Sequence, residues 1–460
     1  MRPVACTGGA AERLGSSEPA IGRLDVLRDL RSRRVARVVA VTLVVSGAAL
    51  VSSGSARAAV GGPGGEYQPI VPARVLDTRA GLGSPVAKVP GGGSIDVTVA
   101  GVAGTGVPAD GVLAVALNVT ATNPSLATYV TVWPTGAGRP LASTVNVGAG
   151  RSAANLAVVG VGAGGKVSIF VAFGSADIVL DVVGWFASAT AAVPAGTGSR
   201  LLPVTPERIL DTRTGNGATG AVGATQAIDL QVTGRFHDRN GAVVGDATAV
   251  VLNLTGVEAT ADTFVTAYPA GVARPPTSSL NLVRGETRPN LVMVKLGAGG
   301  RVSLYNHQGA TNLVADVVGF FRAGVDPTTF AGRVLPLAAP FRAFDTRNDG
   351  RRTGTNQVDT WDFSPFVASA TAGGVPVGNV SGLVLNVTAT DVTEPSYLTA
   401  YPTDVAKPVA SNLNMVAGDV IPNLAVIPLS GGAVPNRIST YYFHGFAHYL
   451  ADVSAVILAD

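Results

Sequence analysis

One short phrase of acid, hydroxyl and base recurs three times in this sequence. It reads Arg74-Val75-Leu76-Asp77-Thr78-Arg79, then Arg208-Ile209-Leu210-Asp211-Thr212-Arg213, then Arg342-Ala343-Phe344-Asp345-Thr346-Arg347. A carboxylate beside a hydroxyl invites acid–base chemistry. Aspartic proteases carry theirs in Asp-Thr-Gly, and two such Asp must meet to share a proton. Here Arg fills the third position and there are three copies. The expected role is structural: the Asp accepts from Thr or backbone N–H groups in a turn, and Arg forms a charge-assisted pair with it. Arg74, Asp77, Arg79, Arg208, Asp211, Arg213, Arg342, Asp345 and Arg347 are read in that way.

A second recurrence suits binding. Trp133-Pro134, Tyr268-Pro269 and Tyr401-Pro402 are each followed, six residues after the aromatic, by a cation that itself precedes Pro: Arg139, Arg274 and Lys407. Pro and Gly between the two imply a hairpin tip, where an exposed aromatic beside a cation suits a sugar ring or an anionic polymer. These six residues are the candidate ligand-binding set.

Other chemistry is sparse. There is no G-x-S-x-G, H-E-x-x-H or phosphate-cradling G-x-x-x-x-G-K-S/T. His237, His307, His444 and His448 do not recur between copies, and the Tyr441-Tyr442-Phe443 context makes His444 and His448 strand neighbours rather than a helical metal pair. No metal or cofactor is expected, and the chain is read as non-catalytic. The lone Cys6 lies near the N-terminus, so the rest of the chain can form neither disulfides nor thiolate sites.

The elements that must position these residues follow from further repetition. The Asp-Thr-Arg phrases are spaced by 134 residues, and each is followed by Leu117-Asn118-Val119-Thr120, Leu252-Asn253-Leu254-Thr255 or Leu385-Asn386-Val387-Thr388. After the cation come Asn146, Asn281 and Asn414, then Asn155, Asn290 and Asn423 nine residues later. Copies end near Asp181-Val182, Asp316-Val317 and Asp452-Val453. The period inside a copy is two. Leu113, Val115, Leu117 and Val119 point one way, while Ala114, Ala116, Asn118 and Thr120 point the other. Asn118, Asn253 and Asn386 are therefore read as structural, each amide tying a neighbouring loop to its sheet. They also match a glycosylation sequon, here taken as a coincidence of strand sequence.

About eight short strands per copy, bounded by Gly and Pro, predict three tandem β-sandwiches of jelly-roll or Ig-like type. The boundaries are 68–187, 201–322 and 334–458, joined by Ala- and Gly-rich linkers. Composition agrees, with 47% hydrophobic residues, 58 Gly, 29 Pro and only 14% charged side chains.

The formal charge of +3 is unevenly distributed. Residues 1–58 hold nine Arg against four acidic side chains, leaving 24 basic and 26 acidic over the rest. That balance argues against a nucleic-acid partner. Arg28, Arg31, Arg33, Arg34 and Arg37 precede the apolar run Val38–Val51, and Ala56-Arg57-Ala58 follows. This order is that of an export signal over 1–58, whose apolar run is too short to span a bilayer, and no later segment could cross one. A secreted or extracellular location, in association with the cell wall, is expected.

The pattern resembles an uncharacterised repeat of exported actinobacterial proteins, sometimes attached to cell-wall amidases and other secreted hydrolases. Arg74, Leu76-Asp77-Thr78-Arg79, Leu117-Asn118-Val119-Thr120, Trp133-Pro134, Asn146, Asn155 and Asp181-Val182-Val183-Gly184-Trp185-Phe186 carry it, with their counterparts, over nearly all of residues 69–458. The resemblance implies export but no activity. Two classes of function are compatible with it: a non-catalytic binder of cell-wall or other extracellular polysaccharide through repeated loop sites, or a structural module assembling with itself or sister chains.

Overall fold

Val-rich alternation broken by Gly and Pro leaves little choice but short antiparallel strands. The computed structural model describes residues 64–460 apart from 189–190, 192–197, 325–328, 349, 370, 373–374 and 377–379. The expected export signal lies outside the described residues. In the first repeat the principal strands are β1 (Glu66–Asp77), β2 (Ser94–Thr98), β3 (Val112–Thr122), β4 (Thr128–Pro134), β5 (Val145–Val147), β6 (Ser152–Gly160), β7 (Lys166–Val171) and β8 (Ser175–Ala187). The second repeat continues with β9 (Ser199–Asp211), β10 (Ala227–Gln231), β11 (Ala247–Val257), β12 (Thr263–Pro269), β13 (Leu280–Leu282), β14 (Arg288–Lys295), β15 (Arg301–Asn306) and β16 (Asn312–Ala323). The third has β17 (Val334–Asp345), β18 (Gln357–Asp362), β19 (Val380–Thr390), β20 (Ser396–Pro402), β21 (Leu413–Met415), β22 (Ile421–Pro428), β23 (Arg437–Tyr442) and β24 (Phe446–Leu458). It also carries the one-and-a-half-turn helix α1 (Ser364–Ser369).

Each repeat is two four-stranded antiparallel sheets. One runs in the order β1-β8-β3-β6 and the other β2-β7-β4-β5, with the same orders in the second and third repeats. First, last, third and sixth strands on one side, with second, seventh, fourth and fifth on the other, is the double Greek key of a jelly roll. Of the two sandwich types expected from the sequence, the strand order selects this one.

Each sandwich has its own core. In the first it contains Val115, Leu117, Val119, Val130, Val132, Val167, Ile169 and Leu180. The other two cores are built from the equivalent strands. A fourth apolar cluster belongs to no single repeat. It joins Tyr67, Ala114, Ala116, Leu156 and Phe186 to Leu201, Val251, Leu291, Met293 and Phe321 and to Val384, Leu424, Val426, Ala455 and Ile457. The period-two reading of β3 is thus completed. One face fills its own sandwich, and the other is buried against the neighbouring repeats.

Small residues at Ala114, Ala116 and Gly184 let those sheets approach, and Tyr67 lies over Gly184 so closely that a Cβ there would meet its ring. Tyr67 stacks on Phe321 of the second repeat at 4.1 Å between ring centroids and donates its hydroxyl to Val183 O at 3.0 Å. Main-chain pairing also crosses between repeats, at Tyr67 with Ser199 and at Gly65 with Val334.

Candidate functional site

The recurrent polar residues assemble into rows. On the first repeat's inner sheet, Arg74 on β1 pairs across from Asp181 on β8, which is opposite Asn118 on β3, which is opposite Leu156 on β6. Arg208, Asp316, Asn253 and Leu291 repeat the row, as do Arg342, Asp452, Asn386 and Leu424. Each row faces the next repeat.

Asn118 donates to Ser278 O of the second repeat at 2.5 Å and accepts from Asn290 at 2.9 Å, while Asn290 accepts from Leu156 N at 3.2 Å. Between second and third repeats, Asn253 donates to Ser411 O, Asn423 donates to Asn253 at 2.8 Å, and Leu291 N donates to Asn423 at 3.0 Å. The third seam closes back on the first repeat. Asn386 donates to Ser143 O at 2.6 Å, Asn155 donates to Asn386 at 2.8 Å, and Leu424 N donates to Asn155 at 3.0 Å. The loops tied by Asn118, Asn253 and Asn386 therefore belong to other repeats, and three seams form a closed ring. Asn155, Asn290 and Asn423 share this work. Their recurrence was visible in the sequence, but no partner for them was.

The Asp-Thr-Arg turns close the outer end of each row. Arg79 clamps Asp77 through Nε at 2.8 Å and Nη2 at 2.7 Å, and its own N–H reaches the same carboxylate at 3.1 Å. Arg213 and Arg347 hold Asp211 and Asp345 alike. Hydrogen bonds from these guanidiniums hold the three carboxyls below the usual range, Asp345 at about 2. The partners deeper in each row behave oppositely. Burial pushes Asp181, Asp316 and Asp452 upward even though Arg74, Arg208 and Arg342 bind them at 2.8, 2.8 and 2.5 Å. Thr78 bonds Asp177 rather than Asp77, at 3.0 Å.

The recurrent aromatics expected at exposed tips stand elsewhere. Trp133, Tyr268 and Tyr401 are strand residues only 8%, 8% and 7% exposed. Trp133 is covered by its own turn, with Nε1 donating to Ala137 O at 3.0 Å. A ring so covered offers no face for stacking. Their cations do remain outside, on different rings: Arg139 over Phe170 at 3.7 Å, Arg274 over Tyr305 at 4.2 Å and Lys407 over Tyr441 at 4.5 Å.

Those rings belong to files that sequence spacing did not single out. Phe170 leads to Tyr129 and the exposed Phe173. Tyr305 leads to Phe264 and His307, which stack at 4.4 Å. Tyr441 leads to Tyr397 and Phe443, stacked at 4.8 Å. Each file is a cation followed by three rings on the outward sheet, of which Phe170 and Tyr305 are as covered as Trp133 and the rest are half-buried or exposed. The signal for it was the alternation on β4 and β7, in which Tyr129 and Phe170 oppose the core-facing Val130 and Ile169.

Two of the files border a groove at a seam. A groove of about 350 Å³ between second and third repeats is lined by Arg208, Arg213, Tyr397, Lys407, Val409 and Asn414, among others. One of about 250 Å³ between third and first repeats has the equivalent Arg342, Arg347, Tyr129, Leu141 and Asn146. Two groups assigned to separate roles from sequence, the Asp-Thr-Arg arginines and the Lys407 tip, thus share one groove. Among the described residues, no three His, Cys, Asp or Glu side chains gather as metal ligands would, and no helix is long and apolar enough to cross a membrane.

No family model and no curated protein matches the chain. A solved structure described as "The Triple Jelly Roll Fold and Turret Assembly in an Archaeal Virus" aligns with 86% of this chain and 90% of that one, at 10% identity and a TM-score of 0.16. So loose an overlap leaves the strand order itself as the ground for the fold.

Proposed function

We propose that this chain is an exported, non-catalytic module that binds cell-wall or other extracellular polysaccharide at three equivalent places on one body. The observation that carries the reading is the set of three cation-and-ring files, two of them beside grooves between repeats. The rings left open in each file, such as Tyr129 with Phe173 and Tyr397 with Phe443, suit the apolar faces of sugars, and each stacked ring contributes about 0.5–1.5 kcal/mol. One file alone would hold a chain weakly. Three files fixed by the closed ring of repeats gain from avidity on a repeating polymer.

The test is co-sedimentation of the full chain with insoluble cell walls and polysaccharides, beside a variant carrying Tyr129→Ala, Phe264→Ala and Tyr397→Ala. The variant should stay folded and lose most of its retention. Equal retention of both proteins would remove the files from the function.

A second reading, an assembly module without a sugar ligand, is favoured by the use of the tip loops themselves. Ser143, Ser278 and Ser411 are consumed in contacts between repeats. If the parent chain sediments with no polymer but forms ordered assemblies at a cell surface, this reading replaces the first.

A further inference from the structure

We propose that the groove between the second and third repeats takes the oxyanion of an acidic glycan, a uronate carboxylate or a phosphodiester; this rests on the polysaccharide reading above. The lining contains Arg208, Arg213 and Lys407 and no carboxylate side chain. Lys407, on the groove's rim, is exposed and, among the described residues, has no ion pair; its ammonium lies 4.5 Å from the Tyr441 ring.

Arg208 differs from its counterparts. Its Nε and Nη2 bind Asp316, but Nη1 stands 3.7 Å from Asp211, against 3.2 Å for Arg74 to Asp77 and 2.8 Å for Arg342 to Asp345. The Nη1 hydrogens are therefore left for another acceptor. Arg213 commits Nε and Nη2 to Asp211, and its side chain is 46% exposed. Two guanidinium edges and an ammonium, with Thr255, Ser411 and Asn414 alongside, suit a planar or tetrahedral oxyanion. The groove's volume lies at the low end of ligand pockets, about 300–1,000 Å³, and Tyr397 continues from it into the ring file. A sugar stacked on the file would place a charged substituent in the groove.

Val409 gives a probe that spares the clamps, being 83% exposed on the groove's lip. Affinities of the full chain would be measured for oligogalacturonate, for a glycerol-phosphate oligomer and for neutral maltooligosaccharide of equal length. At least one acidic oligomer should bind tenfold or more tightly than the neutral one, and added salt should erase the difference. Which acidic oligomer binds identifies the oxyanion. Val409→Glu should cut acidic binding at least tenfold, leave neutral binding and the melting temperature unchanged, and Val409→Thr should behave as the parent. Equal affinity for neutral and acidic oligomers, or no effect of Val409→Glu on acidic binding, would overturn the groove while leaving the files standing. Absence of binding to any oligomer, together with failed co-sedimentation, would overturn both.

Discussion

The inward and outward sheets of each repeat use the same alternation for opposite ends. On the inward sheet, β3 sends Val115 and Leu117 to its own core and Ala114, Ala116 and Asn118 to the next repeat. On the outward sheet, β4 sends Val130 and Val132 to the core and leaves Tyr129 half-exposed in a ring file. The Asn amides of the inward face find acceptors across the seams, while the buried hydroxyls of Thr120 and Thr388 beside them have no partner. The outward face is apolar where water remains in contact. Polar residues in the interior and rings at the surface mark an interface already filled and one still open.

The comparison breaks most severely if a repeat is taken alone. Residues 199–323 expressed by themselves would expose Leu201, Val251, Leu291, Met293 and Phe321 on one face. Such a fragment should self-associate or unfold, and sedimentation velocity would show a stable monomer if the inward face mattered little.

Next comes the Asn ring. Asn155→Ala leaves Leu424 N, Thr144 O and Asn386 without their partner in a buried seam. The expected cost is about 3–4 kcal/mol by denaturant titration. Loss below about 1 kcal/mol would mean that the ring is ornamental to stability.

The turn clamps should matter slightly less. Asp77→Ala strips Arg79 of a bidentate partner and Arg74 of a second one, at about 2–4 kcal/mol. The acid profile separates these carboxylates from the deeper ones. Asp345 is depressed from 3.8 to about 2, so its contribution is present above its unfolded value and is lost as pH falls toward 2. Asp452 is raised by burial, so the stability its protonated form contributes is present below its unfolded value of 3.8 and is lost as pH climbs above it. Stability measured from pH 4 down to 2 should fall less steeply in Asp345→Asn, and the stability lost as pH is raised above 4 should be smaller in Asp452→Asn. Parallel slopes would contradict the division.

The smallest effect sharpens the outward side. Trp133→Phe removes one hydrogen bond to Ala137 O from a ring already covered, at about 1 kcal/mol. Polymer retention should not change. Lost retention with unchanged melting would return Trp133 to the binding surface.

Much of this was legible in the residues. Alternation and turn chemistry are local, so Leu117-Asn118-Val119-Thr120 announced a strand, and Arg79 two residues from Asp77 announced a clamp that the turn completes by itself. The sequence also determined that three copies would share one path, because the same strand and turn residues recur at matching intervals. What tertiary structure alone decided is where each polar face points. Asn118 meets Asn290 across 172 residues, and Asn155 meets Asn386 across 231. No local pattern encodes such distances. Likewise, whether Trp133 or Tyr129 meets solvent depends on a turn folding over one ring and leaving its strand neighbour uncovered. Period two assigns both to the same face, and only packing tells a covered ring from an open one.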